Sequence, residues 1–112
     1  MTTACAIEIE WAGGTHTFDL GHRWVRNVLN YRGIPGINGD SIAACHARFS
    51  AAAYSAEDVA RVLELGLIGG GLSRQEAANL IADHVHGKPL APNVLVATAV
   101  LNTLFIGDAN AA

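Results

Sequence analysis

Two short helical patterns joined by three consecutive glycines, within residues 54–87, constrain the fold of this chain most strongly. Ser55 stands at the N-cap position of the first pattern, and Ser73 with Glu76 forms a capping box that begins the second. Apolar residues recur at helical spacing in both patterns, so each helix has one face to bury. The glycines at 69–71 interrupt the periodicity. The sequence therefore predicts two short helices with a tight connection between them.

A β-hairpin is predicted at the N-terminus. Residues 5–11 and 15–20 both alternate apolar and polar side chains, which is typical of half-buried strands. Gly13 and Gly14 separate them and suit a two-residue turn. With these glycines at the centre of the turn, three apolar or aromatic pairs lie on one face of the hairpin. The predicted pairs are Trp11–His16, Ile9–Phe18 and Ile7–Leu20.

The fold class expected from these patterns is α+β, a hairpin followed by a bundle of short helices in a single domain, 1–112. We expect the ends of the chain, 1–4 and 108–112, to be disordered. The GIPGING loop at 33–39 is a candidate for mobility because glycine and proline dominate it. The helices are predicted at about 22–32, 41–52, 56–68, 74–86 and 92–106.

Composition and charge exclude several classes of protein. A formal net charge of −3 argues against a dedicated nucleic-acid binder. Arg23, Arg26 and Arg32 lie close together in sequence, and we interpret them as a solvated helix face. The most apolar stretch, 95–106, is shorter than the ~20 residues of a membrane span. The N-terminal sequence has no secretory leader, so we expect a cytoplasmic protein with free thiols.

No residue pattern indicates catalysis or metal binding, and we expect a non-enzymatic protein without a cofactor. The triple glycine lacks the lysine and hydroxyl residue of a phosphate-binding loop. His84 and His86 are two apart, whereas helical zinc ligands are spaced by four. Cys45 lies on an apolar stripe and is interpreted as an inert thiol. The carboxylates are interpreted as exposed-face or cap residues: Glu8, Glu10, Glu57 and Asp58.

Residues on the apolar faces and at the ends of the helices form a recognisable pattern over 54–107. They are Val59, Leu63, Gly66, Leu67, Ser73, Glu76, Ile81, Pro89 and Leu90. In this pattern the chain resembles the small tail proteins of gene transfer agents and related phages, a family grouped with phage tail assembly chaperones. The resemblance implies a chaperone that coats the tape-measure protein and helps to recruit the major tail protein. A structural component of the tail tube is the alternative within the family.

The partner surface that we expect combines the last helix with the apolar face of the hairpin. The candidate partner-binding residues are Val100, Leu101, Leu104, Phe105, Ile9 and Phe18. The expected partners are the tape-measure protein, the major tail protein or further copies of the chain itself. We expect no binding to nucleic acid or to a membrane. Two alternatives remain open: these surfaces could pack on each other in a monomeric core, and the chain could be a small bacterial binding or regulatory module unrelated to tails.

Overall fold

The computed structural model describes residues 3–107, and the α+β class is confirmed: an antiparallel hairpin precedes five helices. The elements are β1 (Ala6–Trp11), β2 (Gly14–Asp19), α1 (Arg23–Tyr31), α2 (Ile42–Ser50), α3 (Ala56–Gly69), α4 (Arg74–His84) and α5 (Leu90–Ile106). The disorder expected for residues 1, 2 and 108–112 concerns positions outside the described residues. Thr3 is tied to the hairpin, because its backbone N–H and hydroxyl donate to the Asp19 carboxylate at 2.8 and 2.7 Å.

The turn of the hairpin lies one residue earlier than predicted. Ala12 and Gly13, rather than Gly13 and Gly14, are its central residues, with φ of 54° and 79°, the left-handed values that a type I′ turn requires. Trp11 therefore pairs with Gly14. The shift of two residues in pairing leaves every side chain on its predicted face, so the alternation could not distinguish the two registers. The remaining pairs on that face are Ile9–His16 and Ile7–Phe18.

Helix α3 is the centre of the molecule and packs against β2, α1, α4 and α5. Its burial extends around most of its circumference, whereas the sequence predicted one stripe and assigned the all-round apolar character to α5. The buried residues of α3 are Asp58, Val59, Ala60, Val62, Leu63, Leu65, Gly66, Leu67 and Gly69. Helix α5 buries one side, with Ala97, Val100 and Leu101, and exposes Leu95 and Ile106. The hydrophobic core therefore lies between the hairpin and α5, with α3 through its middle.

The triple glycine allows the end of α3 to touch the backbone of β2. A Cβ atom on Gly69 would overlap the carbonyl oxygen of Asp19, and one on Gly70 would overlap that of Thr17. Gly71 has open space around its Cα and a φ of 120°, which a side chain rarely adopts. The first two glycines thus serve close packing, and the third serves the change of chain direction.

The serine caps predicted from the sequence form as expected. The Ser55 and Ser73 side chains accept hydrogen bonds from the backbone N–H groups of Asp58 and Glu76, both at 3.1 Å. Each acid reaches back to the backbone N–H of its serine, which completes two capping boxes. The bond from the Ser73 backbone lowers the pKa of Glu76. Such caps fix where α3 and α4 begin, and hence how the triple glycine is placed against the hairpin.

A buried arginine organises the loop at 33–39. Arg48 on α2 donates through Nη2 to the carbonyl of Ile34 at 2.8 Å, and through Nη1 to the carbonyls of Ile37 and Gly39 at 3.1 and 2.9 Å. It also donates to both carboxylate oxygens of Asp58, at 2.8 and 2.9 Å. The sequence interpretation of Asp58 as an exposed or cap residue was therefore incomplete: it is a cap, but it is buried beneath this loop.

Candidate functional site

The hairpin face that we considered for a partner is largely occupied by the protein's own helices. Phe18 is fully buried, and it lies over Gly66 of α3, where an added Cβ would come within 3.1 Å of its ring. The same added Cβ atom would come within 3.3 Å of the side chain of Val100 on α5. Ile9 is half-buried against this cluster. The fold thus brings Phe18 and Val100 together inside the core.

The candidate residues on α5 divide between the core and the surface. Val100 and Leu101 are buried, Leu104 is half-buried, and Phe105 exposes 44% of its surface. The alternative of mutual packing in a monomeric core therefore holds for Phe18, Val100 and Leu101. Phe105 and the edge of Leu104 are the candidates that a partner could reach without opening the fold.

Leu104 and Phe105 border a groove, here called the C-terminal groove, of about 330 Å³. Helices α1, α2 and α5 each contribute to it, together with the end of the hairpin. It is lined by Leu20, Arg26, Leu29, Asn30, Ile42, Leu104 and Phe105. Most of these side chains are apolar, so the groove suits an apolar side chain of a partner with a single cationic group, Arg26, at its edge.

Phe105 is held at the rim of the C-terminal groove by an aromatic contact. Its ring stacks on His46 of α2, with centroids 4.3 Å apart and an angle of 19° between the planes. The other side of that imidazole is fixed by Asn102, whose Oδ1 lies 3.0 Å from His46 Nε2. The stack restrains the Phe105 side chain while leaving part of it in solvent, as expected for a preorganised contact residue.

Helix α5 carries further exposed apolar residues. Ile106 exposes 80% of its surface, and Leu95 is also exposed. They are eleven positions apart, which brings them to the same side of the helix about 16 Å apart along its axis. Leu95 and Ile106 are not among the predicted partner residues, because apolar residues surround this segment and its sequence does not show which side is exposed.

A second groove lies on the opposite flank of α1 and is here called the basic groove. It measures about 430 Å³ and is bordered by α1, α3 and the start of α4. Its lining is Trp24, Asn27, Val28, Tyr31, Arg32, Arg61, Glu64, Leu65, Ile68 and Arg74. Of these, only Arg32 belongs to the arginine group noted in the sequence. Arg61 and Arg74 come from other helices, so no local spacing could have revealed the groove.

The burial of Cys45 and the grouping of possible metal ligands bear on thiol and metal chemistry in the described residues. Cys45 is fully buried, and burial raises the pKa of its thiol to about 11, which agrees with the inert thiol that we expected. Within residues 3–107, no group of three or more His, Cys, Asp or Glu side chains is close enough to hold a metal ion. Across the same residues, no helix is both long and apolar enough to cross a membrane.

Comparison with known proteins places these features in a family. The profile of the family described as "Phage tail tube protein, GTA-gp10" matches residues 4–107, which covers the hairpin, all five helices and both grooves. Searches of curated proteins and of solved structures gave no match. The profile extends over nearly the whole chain, including the hairpin and first helix, which lie outside the pattern noted at 54–107 in the sequence. The chain belongs to the GTA-gp10 family of phage tail proteins, the tail family of gene transfer agents.

Proposed function

We propose that this protein is a tail assembly chaperone that binds an apolar helical segment of the tape-measure protein. The observation that supports this function is the C-terminal groove, where the partly exposed ring of Phe105 and the half-buried Leu104 border an apolar floor. An amphipathic helix commonly binds such a groove through apolar anchors at helical spacing. Membership of a phage tail family makes another tail protein the natural partner.

The size of the C-terminal groove suits a protein that covers apolar residues of its partner only transiently. A groove of about 330 Å³ accommodates the side chains of one or two anchoring residues. Ile106 exposes further apolar surface on the same helix, outside the lining of the groove. Exposed apolar surface of this kind on a small protein commonly marks a binding site. A chaperone of this type would cover apolar residues of the tape-measure protein until tail-tube subunits replace it.

The structural role named in the family description leads to a different expectation. A tail tube component has to bind further copies of itself in a closed ring or an open stack, through heterologous contacts. The C-terminal groove would then receive a segment of a neighbouring copy. Self-association of the isolated protein therefore separates the tube role from the chaperone role.

The test is co-purification with the tape-measure protein encoded beside this gene, comparing Phe105→Asp with Ile37→Asp. Ile37 is also an exposed apolar residue, but it lies on the 33–39 loop outside the groove. We expect the wild type and Ile37→Asp to bind, and Phe105→Asp to lose binding while its circular dichroism spectrum is unchanged. Failure of the wild type to bind would overturn the chaperone proposal, and assembly of the isolated protein into rings would favour the tube component.

A genetic experiment tests the same proposal in the cell. Deletion of the gene should reduce the number of particles with complete tails, and a copy carrying Ile37→Asp should restore them. The Phe105→Asp copy should restore few. Tails of normal length and number in the deletion strain would contradict any assembly role.

A further inference from the structure

The basic groove concentrates positive charge on one face of an acidic protein. The formal net charge is −3, and the chain has seven Lys and Arg residues. Arg48 is buried. Of the other six, Arg32, Arg61 and Arg74 line the groove. Half of the basic side chains outside the core therefore lie around one groove of a chain whose net charge is negative.

These arginines are largely uncompensated. Among the described residues, their single ion pair joins Arg61 to Glu64, at 3.4 Å, and both side chains are partly exposed. Within residues 3–107, Glu64 is also the only carboxylate in the lining of the groove. An exposed pair of this length contributes little and exchanges readily with another carboxylate. Arg32 and Arg74 have no carboxylate within ion-pair distance in the described part of the chain, so the groove can take up more negative charge.

The groove also has an apolar and aromatic component. Trp24 and Tyr31 are exposed on α1, one on each side of the half-buried Val28. The Arg74 guanidinium lies over the Trp24 ring, 5.8 Å from its centroid, in a cation–π arrangement that holds both side chains. Leu65 and Ile68 of α3 form the floor. Aromatic residues and arginine are the residue types most enriched at sites that dominate protein-binding energy.

We propose that the basic groove binds an acidic peptide segment of a partner protein, one that carries an apolar or aromatic side chain among its carboxylates. The apolar side chain would enter between Trp24 and Ile68, and flanking carboxylates would pair with Arg32 and Arg74. Guanidinium groups suit this role because they bind carboxylates in a bidentate manner.

A nucleic-acid ligand fits the groove less well. Binding of nucleic acid is dominated by a continuous track of cations along the phosphates, whereas this groove has three arginines around an apolar floor and a carboxylate among them. The net charge of −3 repels a polyanion at longer range. A short acidic peptide requires only local complementarity.

The site is independent of the C-terminal groove. Arg26, Leu29 and Asn30 face the C-terminal groove, and Trp24, Val28 and Tyr31 face the basic groove, so the two sites lie on opposite flanks of α1. Two segments could bind at once, one apolar and one acidic. The basic groove would add specificity and faster association to apolar binding elsewhere, which is the usual contribution of complementary charge.

The experiment uses the full chain and a fluorescein-labelled peptide of glutamates around a central Leu-Phe pair, followed by fluorescence anisotropy. We expect saturable binding that weakens with added salt. Arg32→Glu and Arg74→Glu should each weaken binding about five- to thirtyfold. Lys88→Glu makes the same change of charge at an exposed residue that lines neither groove, and we expect a loss of about threefold or less. Trp24→Ala should weaken binding, and so should replacement of the Leu-Phe pair in the peptide by alanines.

Three results would overturn the proposal. One is the absence of saturable binding to the wild type. Another is an equal loss in Lys88→Glu and Arg74→Glu, which would mean attraction by net charge without a site. The third is tighter binding of a fluorescein-labelled single-stranded oligonucleotide than of the peptide, which would assign the groove to nucleic acid. Arg32 and Arg74 are exposed, so their variants should keep the wild-type circular dichroism spectrum.

Discussion

Arg48 and Asp58 form a bidentate ion pair in which each side chain exposes 1% of its surface. The hydrogen bonds that Arg48 donates to the Asp58 carboxylate raise the pKa of the guanidinium further above its ordinary value, so Arg48 remains charged. Its other donors bind the loop at 33–39. The pair thus connects the N-terminus of α3 to α2 and to the loop that precedes α2.

Removal of the buried carboxylate charge should be strongly destabilising. Asp58→Asn leaves a buried guanidinium without its counter-ion, and we expect a loss of about 3–5 kcal/mol in the free energy of unfolding. Glu64→Gln is the matched control, because it removes the partner of the exposed Arg61, and it should cost less than about 1 kcal/mol. Urea unfolding measures both. Equal losses would mean that burial of the pair has no energetic consequence.

The elements of this fold were predictable because their signals are local. Serine caps, glycines and helical periodicity specify where α3 and α4 begin and end. The ion pair between Arg48 and Asp58 could not be predicted, because it depends on tertiary contacts and because Asp58 already had a local explanation as a cap. A clue was present: Arg48 lies three residues after Cys45 and one before Phe49, on the core side of α2.

The exposure of the candidate partner residues could be predicted only in part, for a related reason. Apolar residues surround most of α5, so its sequence does not indicate which side is covered by α3 and the hairpin. The tertiary contacts place Leu101 inside and leave Ile106 outside. The basic groove could not be predicted at all, because its arginines come from three separate helices.

Alanine at the first two glycines of the triplet should destabilise the protein. Glycine to alanine in a helix normally stabilises by up to about 1 kcal/mol. In Gly69→Ala and Gly70→Ala the new methyl group overlaps a carbonyl of β2, and we expect a loss of about 1–3 kcal/mol. Gly14→Ala is the control, since its nearest neighbour would be 3.8 Å away, and it should change stability by less than about 0.5 kcal/mol. A gain in stability for Gly69→Ala would show that α3 does not approach β2 closely.

Asn93 should couple the hairpin to the last two helices. Trp11 Nε1 donates to Asn93 Oδ1 at 2.8 Å, and Asn93 Nδ2 donates to the carbonyl of His84 at 3.1 Å. Asn93→Ala leaves the buried indole N–H unpaired, at an expected cost of about 1–3 kcal/mol. In a double-mutant cycle with Trp11→Phe, the double mutant should lose less free energy of unfolding than the sum of the two single losses. The difference should be at least about 0.5 kcal/mol. Additive losses would contradict the coupling.

Cys45 should make stability fall at alkaline pH. Burial, then the charge of Asp58, raises the pKa of its thiol from 9.0 to about 11, and Arg48 opposes this. Between these values the unfolded chain loses the proton while the folded chain keeps it. The favourable contribution is therefore complete below pH 9 and is lost as pH rises toward 11, by about 1–3 kcal/mol.

The measurement is urea unfolding of the wild type and of Cys45→Ala across this pH range. Other groups also titrate there, so the difference between the two proteins is the relevant quantity. We expect the stability of the wild type to fall more steeply with pH than that of Cys45→Ala. Parallel profiles would show that the Cys45 thiolate is as stable in the folded protein as in water.

Leu101 and Phe105 should differ sharply in their effect on folding, although they are one helical turn apart. Leu101 is fully buried and Phe105 exposes 44% of its surface. Leu101→Ala should lower the free energy of unfolding by about 2–5 kcal/mol. Phe105→Ala should lower it by about 1 kcal/mol, because it removes only part of a buried contact and the stack on His46. Urea unfolding of the two variants makes the comparison.

This difference determines which substitution can test partner binding. A charge at Leu101 would disrupt the core, so a loss of binding there would report unfolding. A charge at Phe105 changes the rim of the C-terminal groove and leaves the core intact. Comparable destabilisation by the two alanine variants would mean that Phe105 belongs to the core, and the partner surface would then have to be sought on the exposed side of α5, at Leu95 and Ile106.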